Sequence, residues 1–238
     1  FFSNGQFVNP MVLRVPGLGY QKGFGGHFHN DNSLTIFRDI PGLVLAIPSN
    51  GADAVRMLRT AVKEAYKNGR ITVFIEPIAL YMTKDLHKAK DGKWEFIYPD
   101  LNDESLIGEF KSYGNGRLLT ILTYGNGLYL SLQAQKDIEK KLGKKIKIID
   151  LMWISDVNYE TLLKEISPCK SILIVDECRR SGCHGEGILA NLILKSKKPL
   201  NIALHAAEDS FISIGNAATA TLPSKDSIVQ NALNLVNA

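Results

Sequence analysis

The sequence predicts an α/β protein built from two open, mainly parallel sheets with flanking helices. Three observations predict it. Short continuous apolar runs such as Met11-Val12-Leu13 and Leu43-Val44-Leu45-Ala46-Ile47 are the signature of strands buried on both faces. Amphipathic stretches alternate with these runs, in the strand–helix–strand rhythm of crossover units. The rhythm breaks once, where Lys88-Ala89-Lys90-Asp91-Gly92-Lys93, Tyr98-Pro99-Asp100 and Asn102-Asp103-Glu104 show charge and turn residues with little periodicity. The chain is therefore expected to divide into residues 1–87, a linker over 88–115, and residues 116–238.

The elements follow in order. Phe1-Phe2-Ser3-Asn4-Gly5-Gln6 reads as the tail of a helix and a turn, with the helix itself lying in sequence upstream. Pro10 to Val15, interrupted only by Arg14, reads as a buried parallel strand. Leu34 to Phe37 is a short helix, and Leu43 to Ile47 a second buried strand closed by Pro48. Ser49-Asn50-Gly51 supplies caps for a helix from Ala52 to about Tyr66, with Ala54, Leu58, Ala61 and Val62 on its apolar face. Lys67-Asn68-Gly69 stops that helix, and Ile71 to Ile75 is the third strand. Beyond the break, strands are predicted at Leu118–Thr123, Lys145–Leu151, Ser171–Val175 and Leu200–Ala203. Helices are predicted at Leu128–Lys141, Glu160–Ile166, Gly187–Lys195 and Ser224–Val236.

Composition narrows the class. The 238 residues are 45% hydrophobic and 22% charged, ordinary values for a folded chain. The net charge of +4 comes from lysines scattered along the chain rather than gathered in a block, so nucleic-acid binding is not expected. No apolar run reaches the ~18 residues of a membrane span, so no membrane partner is expected. The first residues lack the charged region and apolar core of a signal peptide. Cys169, Cys178 and Cys183 make an odd count, which suits reduced thiols in a reducing compartment.

Two polar concentrations are the candidate sites. The first runs from Gly17 to Ser33, with five glycines and two of the chain's five histidines, His27 and His29. It follows a strand, where ligands sit in alternating α/β chains. Glycines let backbone approach a ligand, and histidine changes charge near neutral pH. The stretch is not a G-x-G-x-x-G fingerprint and lacks the lysine and hydroxyl of a P-loop. On a strand His27 and His29 would share a face, but no third ligand is evident nearby, so no metal is assigned. The second concentration is Asp176-Glu177-Cys178-Arg179-Arg180-Ser181-Gly182-Cys183-His184-Gly185-Glu186-Gly187, between a strand and a helix. There Glu177 is expected to pair with Arg179 or Arg180 and fix the turn. The spacing of Cys178, Cys183 and His184 matches no common zinc pattern. Cys183 and His184 are adjacent and rarely would face each other as nucleophile and base. Glu76, at a strand end, is expected to cap or pair rather than act as a base. Gly125-Asn126-Gly127 reads as a tight turn opening a helix.

Read together, these stretches resemble the beta chain of the thiamine diphosphate-dependent 2-oxo acid dehydrogenases, within the transketolase superfamily. Ser3-Asn4-Gly5-Gln6 followed by Pro10-Met11-Val12-Leu13-Arg14 resembles the opening strand of that family's pyrimidine-binding domain. His29-Asn30-Asp31, twelve residues before Pro41-Gly42-Leu43, is similar to its His-Ser-Gln and Pro-Gly-Leu motifs. Pro48-Ser49, Asp53-Ala54 and Phe74-Ile75-Glu76-Pro77 with Leu80-Tyr81 resemble the next helix and strand. Thr123-Tyr124-Gly125, Ile149-Asp150-Leu151, Asp176-Glu177 with Gly182 and Gly185, and Leu222-Pro223-Ser224 resemble its C-terminal domain. The departures are Asn30-Asp31 in place of Ser-Gln, and Glu186-Gly187 in place of a small residue followed by glutamate.

The resemblance implies a partial pyrimidine-binding domain over 1–87 and a transketolase C-terminal-like domain over 116–238. It implies oxidative decarboxylation of a 2-oxo acid, pyruvate or branched-chain, with acyl transfer to a lipoyl group. His29 takes the place of the family's catalytic histidine, and His27 beside it is expected to border the substrate. Thiamine diphosphate and Mg2+ are the implied cofactors. The glutamate and aromatic residue of the cofactor's aminopyrimidine site would lie upstream, and the metal and diphosphate site in an alpha subunit or fused N-terminal half. The chain alone is thus expected to be inactive, with a first sheet short of strands and an exposed edge. Implied partners are that alpha subunit or fused half, a lipoyl acyltransferase component and further copies in an oligomer. The implied compartment is the bacterial cytoplasm or the mitochondrial matrix. The alternatives are a non-catalytic subunit-assembly module and a transketolase-type ketol transferase; the Pro-Gly-Leu and Phe-Ile-Glu-Pro spacing favours the dehydrogenase branch over the latter.

Overall fold

The computed structural model describes residues 3–21 and 26–237. Lys22, Gly23, Phe24 and Gly25 of the glycine-rich stretch, and Phe1-Phe2 of the N-terminal turn, lie outside the described residues. Eight strands and six α-helices are present among the described residues, alternating as predicted. Three strands form the first sheet: β1 (Met11–Gly17), β2 (Leu43–Ala46) and β3 (Ile71–Pro77). Their order is β1-β3-β2, all parallel, with Val12 opposite Thr72 and Leu45 opposite Val73. A short helix α1 (Gly26–His29) and a 3-10 turn at Leu34–Asp39 connect β1 to β2.

Helix α2 (Gly51–Asn68) joins β2 to β3. It starts where it does because the Asn50 side chain accepts the Asp53 amide at 3.0 Å. It stops at Gly69, which takes the left-handed conformation (φ 64°) and returns its amide to the Ala65 carbonyl. Its buried stripe is Ala52, Met57, Ala61 and Ala65. The predicted stripe is offset from this: Ala54 and Leu58 are only half-buried and Val62 is exposed. Ala54 and Leu58 pack against the cluster of Val44, Met57, Phe74 and Trp153.

The second sheet has five strands: β4 (Lys111–Tyr113), β5 (Leu119–Thr123), β6 (Lys147–Asp150), β7 (Ser171–Arg179) and β8 (Asn201–Ala207). Their order is β4-β6-β5-β7-β8, parallel except for β4. Helices α3 (Asn126–Leu142) and α6 (Lys225–Asn237) cover one face, where Leu128, Ile138 and Ile228 meet Leu119, Ile121, Ile148, Leu173 and Val175. Helices α4 (Tyr159–Ile166) and α5 (His184–Lys195) lie on the other face. Within residues 88–115, Trp94 is buried in the cluster under α3 and the β4 segment pairs with β6, while Arg59 and Lys63 of α2 hold Asp100, Asp103 and Glu104.

The two sheets share a core. Leu45, Ile47, Val73 and Ile75 of the first pack with Leu122, Ile149, Ile172 and Ile174 of the second in one apolar cluster. Backbone crosses as well: the Ile47 amide donates to Met152 O at 2.8 Å and the Ile154 amide to Leu45 O at 2.9 Å. This covers the β2 edge, with Trp153 fully buried beneath it.

The β1 edge is different. Met11, Leu13 and Val15 share one face and are 39%, 44% and 38% exposed, although the apolar run predicted a buried strand. The run is apolar, but it lies at the sheet's edge, and no described element covers it. Among the described residues β1 is thus an exposed sheet edge.

Candidate functional site

The two polar concentrations, 150 residues apart in sequence, meet at the seam between the sheets. Strand β7 brings Asp176 and Glu177 there, both buried. The pairing of β7 with β8 is irregular between Asp176 and Arg179, so the strand leaves the ladder at this point. Asp176 turns the chain: it accepts the Cys178 amide at 2.8 Å, the Gly185 amide of α5 at 2.7 Å, and the Tyr124 hydroxyl.

Glu177 does not pair with Arg179 or Arg180. Its carboxylate accepts the Asn126 side-chain amide at 2.9 and 3.2 Å, the Asn126 backbone amide at 3.2 Å and the Gly19 amide at 3.3 Å. Gly125 (φ 54°) permits this approach, because a Cβ there would stand 3.2 Å from Glu177 Oε1 and from Ile47. The sequence reading missed this contact. Asn126 looked like a turn residue, and its only signal was an amide side chain at the start of a helix.

Chain leaving β1 docks on this surface. Leu18 is fully buried with φ 70°, and the Tyr20 hydroxyl donates to Pro223 O at 2.8 Å. Chain leaving α1 docks beside it. Asn32 Nδ2 donates to the Glu177 carbonyl at 2.7 Å. Arg179 donates to Ser33 Oγ at 2.5 Å and to Asp31 at 3.0 Å, with its guanidinium over the Phe211 ring. His184 contacts Leu34 O at 3.3 Å and Arg38 donates to Cys183 O at 3.2 Å.

His27 and His29 lie in helix α1, not on a strand, so two-residue spacing sends them to different sides of a turn. His27 is half-buried, its ring centroid 4.7 Å from that of Phe211 and 4.2 Å from that of Phe28. His29 is exposed. The two therefore present an aromatic-flanked and a solvent-facing imidazole at the same edge.

Burial sets the protonation of the seam. It pushes Glu177 up to about 7, helped by the neighbouring Asp176 and opposed by the Asn126 hydrogen bonds. It pushes the Cys178 thiol well up and the Cys183 thiol to about 12, so neither offers a thiolate. It holds His184 below its ordinary value. No group of three His, Cys, Asp or Glu residues gathers as a metal site among the described residues.

Two further groups lie away from this edge. Glu76 pairs with Arg14 and the Tyr81 hydroxyl, as expected of a strand-end carboxylate. Burial alone would raise it, but hydrogen bonds from Arg14 and Tyr81 outweigh that and hold it below its ordinary value. It lines a cleft of 420 Å³ on the α2 side, with Phe74, Trp94 and Phe96. The other group is Asp150, which accepts Ser49 Oγ at 2.8 Å. Burial pushes Asp150 up to about 8, with Asp53 nearby adding to the rise. Asp53 is itself buried and paired with Lys111 and Arg56.

Known proteins resemble this chain in sequence and fold. Residues 108–220 match the family model "Transketolase, C-terminal domain". The pyruvate dehydrogenase E1 component subunit beta of Staphylococcus epidermidis is 27% identical over 241 residues, covering 98% of this chain and 67% of that protein. The Staphylococcus aureus protein of the same name is 25% identical over the same span. The chain thus spans about two thirds of the length of the curated relatives it matches. Among solved structures, a split-gene transketolase described as an inactive beta4 tetramer superposes with a TM-score of 0.68 at 16% identity, over 94% of this chain and 66% of that one. The transketolase of Campylobacter jejuni superposes with a TM-score of 0.60 at 16% identity, over 94% of this chain and 31% of that one. In sequence, along nearly its whole length, the chain is similar to pyruvate dehydrogenase E1 beta subunits; its residues 108–220 match the transketolase C-terminal domain, and its fold is similar to that of transketolases.

Proposed function

We propose that this chain is the beta-subunit portion of a thiamine diphosphate-dependent 2-oxo acid dehydrogenase, taking part in oxidative decarboxylation and acyl transfer to a lipoyl group. The observation that carries this reading is the match of 98% of the chain to pyruvate dehydrogenase E1 beta subunits. Those relatives favour pyruvate over a branched-chain 2-oxo acid. The reading keeps the partial pyrimidine-binding domain at 1–87, the linker at 88–115 and the C-terminal domain at 116–238. It places the protein in the bacterial cytoplasm or the mitochondrial matrix.

In this reading His29, exposed at the end of α1, holds or passes a proton at the acyl-transfer step. His27, flanked by Phe28 and Phe211, borders the substrate. Thiamine diphosphate, when bound, supplies the carbanion chemistry of decarboxylation. The reading assigns the cofactor's magnesium and diphosphate to an alpha subunit or fused N-terminal half, and the lipoyl group to an acyltransferase component. The chain by itself is expected to be inactive. The exposed apolar face of β1 supports a second reading, a non-catalytic module whose task is subunit assembly.

Calorimetry with thiamine diphosphate and magnesium tests the proposal, on this chain and on the complete product of its gene assembled with its partner subunit. Binding by the assembled product only, with turnover of pyruvate, is the expected result. Tight binding by this chain alone overturns the divided cofactor site. Binding by neither overturns the dehydrogenase reading in favour of the assembly module.

A further inference from the structure

The geometry points to Glu177 as the positioning residue that fixes the histidine-bearing segment across the seam between the two sheets. This deepens the proposed function and rests on it for the role of His27 and His29. One residue grips the segment on both sides. Its carboxylate takes the Gly19 amide on the chain leaving β1, and its carbonyl takes the Asn32 side chain on the chain leaving α1. Asn126, at the first turn of α3, holds the carboxylate from the far side with its backbone and side-chain amides. The grip is buried, so water does not compete for these hydrogen bonds.

The arrangement has the directionality of a clamp. Among the described residues every hydrogen-bond partner of the carboxylate is an N–H donor, from Gly19 or from Asn126. An ionised carboxylate is acceptor-only, so all four contacts are satisfied together, whereas a neutral acid or amide puts hydrogen where a donor already points. Arg179 adds a second grip on Asp31 and Ser33 next to the first. His27 and His29 lie between the two anchored flanks, so their placement over the second sheet depends on both.

Other titratable groups around Glu177 are accounted for. Asp176 is its neighbour and is engaged with Tyr124, Cys178 and Gly185. The Tyr20 and Tyr124 hydroxyls and the Cys178 thiol are pushed up by burial and stay neutral around pH 7. His184 is held down by burial, and Arg179 is paired with Asp31. The variant Glu177→Gln leaves all of them, and both loop histidines, in place.

The test is residue-resolved amide hydrogen exchange by NMR on the full chain, wild type and Glu177→Gln, from pH 6 to 8. Protection factors are corrected for the intrinsic pH dependence of exchange. The expected result is a loss of protection of about tenfold or more at Gly19, Tyr20 and Gly26–Asn30 in the variant, with β5 and β7 changed less than about twofold. Wild-type protection at those amides changes as pH crosses about 7, where Glu177 changes charge, and the variant is flat over the same range. Unchanged protection in the variant overturns the inference. So does loss of protection throughout the second sheet, which makes Glu177 a general fold element, or a pH profile that Glu177→Gln leaves intact. None of these readouts needs cofactor or turnover, so a failure of the dehydrogenase reading leaves this result interpretable.

Discussion

Leu18 shows how much of the seam rests on single side chains. It is fully buried between the sheets although its φ of 70° is a conformation most side chains avoid. Tertiary packing in the shared cluster outweighs that local cost. Leu18→Ala is expected to lose about 3 kcal/mol, read from the midpoint of urea unfolding at unchanged slope. A loss under about 1 kcal/mol would mean the seam collapses around the void. At this scale the sequence was informative about residue type and poor about partners. The glycines and histidines of the first polar concentration and the acids of the second were visible as candidates. Glu177 with Asn126 and Gly19 was not, because adjacent arginines looked like nearer partners and the true ones come from two distant segments. Asp150 stood out only as part of a motif, since nothing in its neighbours announces complete burial.

Among elements, α2 repeats the lesson in another form. Its start and stop were legible because caps are local chemistry: Asn50 and Gly69 sit where the sequence put them. Its buried face was displaced, because which stripe is covered depends on what lies opposite. Gly69→Ala tests the stop. The added Cβ meets Val8 at 2.9 Å and forces a side chain into φ 64°. A cost of about 1 kcal/mol or more is expected in chemical denaturation, with the amides of the last turn of α2 losing protection first. No change would show that the turn relaxes freely. Strand β1 was likewise identified correctly and parallel, but its apolar run carried no information on whether a neighbour exists.

Stability of the whole molecule is tied to protons held on buried carboxyls. Burial raises Asp150 from 3.8 to about 8, so the folded chain keeps a proton there that the unfolded chain releases. Its contribution is complete below about pH 4, shrinks by up to about 1.4 kcal/mol per pH unit as pH rises, and is gone above about pH 8. Glu177, raised from 4.5 to about 7, acts in the same direction over a narrower window. Thermal melts should therefore show Tm falling between pH 5 and 8. Asp150→Asn is expected to flatten that fall and to be relatively more stable at pH 8 than at pH 5. An equally steep fall in the variant would assign the proton elsewhere.

The uncovered edge of β1 also governs how the chain behaves in company. Its outer backbone amides and carbonyls pair with no strand among the described residues, beside the apolar row of Met11, Leu13 and Val15. Two chains that meet can each offer the other the strand it lacks, so monomer should disappear faster than in proportion to its concentration. Static light scattering at two concentrations reads that order directly, and Leu13→Lys should slow it by placing charge on the template. For a cell making such a chain, synthesis in step with whatever shields β1 is the difference between assembly and precipitate.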